Sequence, residues 1–80
     1  MPNVMRIGPY RLHFWSRENN EPPHIHITRD RAVAKYWLEP RVEFASNQGF
    51  PLHELTQIRR IVEQNRDRLL EAWHEHLGED

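Results

Sequence analysis

The chain has no cysteine, which excludes a disulfide framework and a thiolate zinc site and leaves histidine and carboxylates as its only strong metal ligands. It has a single lysine, Lys35, so nearly all of its basic side chains are arginine, the cation suited to planar, two-pronged contacts with carboxylate or phosphate. Net charge is almost absent: eleven basic residues against twelve acidic ones leave a formal −1. A nucleic-acid binder normally shows a basic footprint, so plain nucleic-acid binding is disfavoured, while a local basic patch stays open. No apolar run approaches the roughly 18 residues that spanning a bilayer needs, and Met1–Ile7 lacks the apolar segment of a secretion signal. No membrane association and a cytoplasmic location are expected.

What remains is the material for one small domain, residues 1–80. Of its 80 residues 38% are apolar, with three Trp, three Phe and two Tyr, enough to anchor a core and to exclude a disordered chain. A chain this short buries a modest fraction of its surface, so marginal stability or support from a partner is expected.

Punctuation divides the chain into a strand-like first half and a helical second half. After Gly8 and Pro9, "YRLHFW" alternates, with Tyr10, Leu12 and Phe14 on one side and Arg11, His13 and Trp15 on the other. The segment "SRENNEPP" reads as a loop, its Asn19–Asn20 pair favouring a turn and Pro23 holding Pro22 extended. The stretch "HIHIT" buries Ile25 and Ile27 if His24, His26 and Thr28 face outward. Asp30 then marks a tight turn, Ala32–Leu38 a third strand ended by Glu39–Pro40, and Val42–Ala45 a short fourth. "SNQGF" reads as the loop that follows.

From there the period changes to 3.6. Leu52, Leu55, Ile58 and Val62 are assigned one helical stripe, with Pro51 in the first turn, where its missing N–H costs nothing. Leu69, Leu70, Trp73 and Leu77 form a second stripe that Gly78 closes, and Asn65 marks a break or kink between two helices, whose continuity stays open. The expected fold is α+β: a small antiparallel sheet of three to four strands followed by two C-terminal helices packed on one face, the other face left for water, a ligand or a partner.

If the first two strands form a hairpin with their apolar faces matched, strict alternation places Arg11, His13 and Trp15 beside His24, His26 and Thr28. Three imidazoles then share one surface, and three readings of them stay open. His-x-His on a strand points two ligands the same way, and His13 from the neighbouring strand completes a facial set for a divalent transition metal, with Glu21, Thr28 or water in the remaining positions. Alternatively, His24 and His26 act as catalytic acid–base groups on a phosphodiester, with Arg11, Arg29 or Tyr36 near, as in metal-independent ribonucleases. The plainest reading makes them outward-facing strand residues on a contact surface to which Arg11, Trp15, Tyr36 and Trp37 contribute. The helical histidines carry less. Glu71 and His74 lack the second copy that a di-iron bundle site requires, His74 and His76 point about 200° apart, and His53 has no evident partner.

The blocks "RIGPYRLHFWSRENNEPPHIHI", "AKYWLEP", "GF" with "EL", and "LLEAWHEHLG" together resemble the bacterial domain-of-unknown-function family numbered 4160, with its Pro-His-x-His signature, its Ala-Lys-aromatic-Trp block and its terminal Leu-x-x-Trp helix. The resemblance covers nearly the whole chain. It departs at Pro51, where the family usually carries Ser or a similar helix cap. By resemblance, Pro23, His24 and His26 are functional positions. Members of that family often stand beside a gene for a second small family, numbered 2442, in pairs that look like toxin–antitoxin modules. The resemblance therefore implies a two-protein complex with the product of an adjacent gene, a second copy of the chain being the other candidate partner. It assigns no reaction, and whether the chain is an enzyme stays open.

Overall fold

A computed structural model describes residues 3–14 and 21–77, with only the backbone of residues 3, 76 and 77. Five strands precede two helices: β1 (Asn3–Ile7), β2 (Tyr10–His13), β3 (His24–Arg29), β4 (Ala32–Trp37), β5 (Glu43–Gln48), α1 (Leu52–Gln64) and α2 (Arg66–Leu77). Each strand pairs antiparallel with its neighbour in sequence, in the order β1-β2-β3-β4-β5. Two of the hairpins turn on residues with left-handed backbone, Gly8 (φ 56°) and Asp30 (φ 55°); glycine adopts it freely and aspartate more readily than most side chains.

The sheet is one strand larger than the alternation indicates, because residues 3–7 pair with β2 as an edge strand. At the other edge, β5 runs on through Ser46, Asn47 and Gln48, residues expected in a loop. They stay in the sheet by pairing with Lys35, Ala34 and Val33. Lys35 opposes Ser46 while Tyr36 opposes Phe44, so Ala45 is an extra residue that bulges the edge. The Asn47 side chain then turns the chain toward α1: its Oδ1 accepts from the Phe50 N–H (3.1 Å) and its Nδ2 donates to the Phe50 carbonyl (2.9 Å). Gly49 (φ 101°) fits this corner because a Cβ there would stand 3.2 Å from Ala32.

Pro51 is the residue before α1 rather than its first, extended at φ −69° and ψ 155° without a side-chain cap, and its carbonyl accepts from Glu54 and Leu55. Asn65 separates the helices as expected. Its N–H reaches the carbonyls of Ile61 and Val62, its Nδ2 donates to Ile61 (2.8 Å), and its own carbonyl receives the Leu69 N–H, so one residue ends α1 and starts α2. Arg66, next in line, pins this corner to the end of β4 by donating to the Leu38 carbonyl (2.7 Å).

The core lies between one face of the sheet and the helices. Tyr10, Leu12, Phe14, Ile25, Ile27, Ala34, Tyr36 and Leu38 meet Ile58, Val62, Leu69 and Trp73, and Phe14 packs edge-on against Trp73 at 5.3 Å. Leu52 does not join them and is 79% exposed. At 100° per residue it lies about 120° round the helix from Ile58, and buried Phe50 fills the place next to the sheet instead. Gly78 and the Leu77 side chain, expected at the end of α2, lie outside the described residues, as does most of the loop before Glu21.

Candidate functional site

The face of the sheet turned away from the core carries the histidines. Arg11 opposes Thr28 and His13 opposes His26, while across β4 His24 faces Trp37 and His26 faces Lys35. Alternation thus brings Arg11, His13, His24, His26 and Trp37 onto one surface, as the apolar pattern of the first two strands requires. Trp15 lies outside the described residues. Tyr36 does not belong to this surface: it is buried on the core side, and its hydroxyl donates to the Leu55 carbonyl at 3.1 Å, burial pushing its pKa up.

His24 and His26 are not wet. His24 is 0% exposed and His26 4%, because β3 is the central strand and is covered on both faces over its first half. The His24 ring stands 4.9 Å from Trp73 and 5.6 Å from Trp37, and perpendicular to His26 at 5.2 Å. Its Nδ1 lies 2.9 Å from the Pro22 carbonyl. A carbonyl can only accept, so Nδ1 carries the proton of that bond. Glu21 stands 3.6 Å from the same nitrogen. His24 therefore behaves as a packed, hydrogen-bonded anchor that ties the Glu21–Pro23 segment to two tryptophans.

His13 is half-buried, while His26, though nearly sealed, borders a hollow. The latter lines a groove of about 500 Å³ with Glu21, Val33, Lys35, Ser46, Asn47 and Gln48. His13 stands beside it at 6.1 Å between ring centres. Lys35 bridges to Glu21 at 2.9 Å and lies over the Trp37 ring at 4.5 Å, and its ammonium holds the Glu21 carboxyl below its usual pKa. Among the described residues no group of three or more histidine or carboxylate side chains is arranged to hold a metal ion, the trio His13, His24 and His26 included.

A second polar cluster escaped the sequence reading. Glu54, in the first turn of α1, accepts from Tyr10 Oη (2.6 Å), Arg29 Nε (2.8 Å) and Arg29 Nη2 (2.7 Å), a two-pronged guanidinium–carboxylate pair with a phenol added. Arg29 first and Tyr10 second hold the Glu54 carboxyl below its ordinary pKa, while burial and the adjacent carboxylate raise that of Tyr10. Its three members come from β2, β3 and α1, so spacing in the sequence carries no sign of it; an acid in a helix's first turn is common for reasons of its own.

No described helix is long and apolar enough to cross a membrane. No curated protein and no solved structure matches the chain. Residues 10–74 match the family described as "Domain of unknown function (DUF4160)". The match runs from the start of β2 to the last turn of α2, taking in the histidine strand, the groove and both sides of the core; the chain belongs to this family.

Proposed function

We propose that this chain is a cytoplasmic component of a toxin–antitoxin-like two-protein module and that it works by protein–protein contact through the uncovered groove of its sheet. The observation that carries the reading is the groove itself. Apart from Trp73, which reaches His24, the helices pack on the opposite face, and His26, Val33, Lys35, Ser46 and Gln48 help form a concave, mixed polar and apolar surface that includes the edge strand β5. An edge next to a groove offers a partner main-chain pairing together with side-chain pockets. Phe44, 50% exposed on that same edge strand, faces the helix side opposite Tyr36, so the edge also carries apolar area on the face away from the groove. The partner expected from the resemblance is the product of the adjacent gene.

Co-expression with that product tests the proposal. The two chains are expected to co-purify, and the double substitution Ser46→Arg with Gln48→Arg, at exposed positions on the groove wall, is expected to weaken the complex at least tenfold while leaving the fold intact. Failure to co-purify, or undiminished binding by the double variant, overturns it.

The His13–His26 pair favours a second reading, acid–base cleavage of RNA on the same face. With His24 sealed between tryptophans, the acid–base pair on this reading is His13 and His26. RNA cleavage lost in His26→Ala with folding retained supports it; equal cleavage by variant and parent refutes it.

A further inference from the structure

Toward the β1 edge of the same face a second concavity, about 260 Å³, is lined by Arg6, Pro9, Arg11, Thr28, Arg29 and Asp30. Arg6 and Arg11 are direct cross-strand partners, and Arg11 in turn opposes Thr28, so three strands contribute one row of two guanidinium groups and a hydroxyl. Direct partners in a sheet have Cβ atoms about 5 Å apart, and like charges placed there destabilise it. The charges of this cluster are unevenly balanced. Arg29 is matched by Glu54 and by Asp30, at 2.7 and 3.2 Å, whereas neither Arg6 nor Arg11 is within ion-pair distance of a carboxylate among the described residues. Two arginines thus stand opposite one another across the sheet and line the same polar hollow, on a chain whose overall charge is −1.

We infer that this row is an oxyanion site that takes a phosphate group. Two guanidinium forks and a hydroxyl offer more donors than a single carboxylate can accept, and they suit a tetrahedral anion with several acceptor oxygens. Binding relieves the like charge of Arg6 and Arg11 while leaving the Arg29–Glu54 pair intact. The site is separate from the His26 groove, and Arg6 lies outside the span that defines the family. The phosphate can come from a small phosphate compound or from a nucleic-acid backbone.

The test compares the full chain with Arg6→Gln, Arg11→Gln and, as a control on an exposed helix arginine, Arg60→Gln. Each is titrated with inorganic phosphate and with a six-nucleotide single-stranded RNA, with chloride matching the ionic strength. The melting temperature of the parent and of Arg60→Gln is expected to rise with phosphate beyond the chloride control, and both substitutions in the row are expected to weaken binding at least tenfold. RNA binding that falls in the same variants identifies a backbone phosphate as the source; a response to phosphate alone identifies a small compound. In phosphate-free buffer Arg11→Gln is expected to melt no lower than the parent, because a like-charge contact is gone. The inference is overturned if neither ligand gives a response above chloride, if the response survives in both variants, or if Arg11→Gln alone melts well below the parent.

Discussion

Replacing His24 by alanine separates an anchoring histidine from a catalytic one. The ring is fully buried between Trp37 and Trp73 and bonded to the Pro22 carbonyl. Its removal leaves a void of about 65 Å³, which at about 24 cal/mol per Å³ costs roughly 1.5 kcal/mol. The lost hydrogen bond adds about 1 kcal/mol. The resulting loss of about 2.5 kcal/mol is a large part of the 4–12 kcal/mol or so that an 80-residue domain commands, and for a domain of this size it lowers the melting temperature by about 10–20 °C. His24→Phe keeps a ring between the tryptophans and forfeits only the bond, so its loss is expected to be about 1 kcal/mol. Urea and thermal unfolding, followed by tryptophan fluorescence, measure both. If His24→Ala melts within about 3 °C of the parent, the ring is not the anchor described here, and a solvent-facing role returns.

The Glu54 cluster makes a prediction in pH. Arg29 and Tyr10 lower the carboxyl's pKa in the folded state, so its contribution is present above the ordinary carboxylate range and is lost as the pH falls through the folded value. The parent's urea midpoint should therefore drop more steeply toward acid than that of Glu54→Gln, which has nothing to titrate there; parallel profiles would falsify the assignment. Leu52→Gln, at a position 79% exposed, should leave stability within about 0.5 kcal/mol, and a larger loss in the same unfolding assay would mean that Leu52 packs against something.

Period-two reasoning recovered which way the histidines face, because Ile25 and Ile27 had to meet Leu12 and Phe14 in the core. It could not tell that the histidines' side of β3 would be enclosed. That depends on β3 being the third of five strands and on Trp73, nearly fifty residues later, reaching from α2 to both Phe14 and His24. The two edges were misread for a different reason. An edge strand is paired on one side only, so residues 3–7 need little apolar pattern, and Asn47 and Gln48, poor strand formers, are kept extended by their partners on β4. Tyr36 was legible all along: it shares a parity with Ala34 and Leu38, which face the core, and the opposite parity to Lys35 and Trp37. The interruption at Asn65 was the easiest feature to read, since that residue acts through local backbone chemistry that needs no distant partner.

The strictly sequential strand order has a consequence for how the chain is born. Every hairpin closes between neighbours, on the microsecond scale typical of such turns, so Asn3–Gln48 can begin to pair as soon as it has left the ribosome. The helices that cover Leu12, Ile25, Ile27 and Tyr36 are synthesised afterwards, and at about 5–20 residues per second their arrival takes on the order of seconds. For that interval the nascent sheet presents its apolar side bare, and whatever shields Leu12, Ile25, Ile27 and Tyr36 in the finished fold has yet to be made.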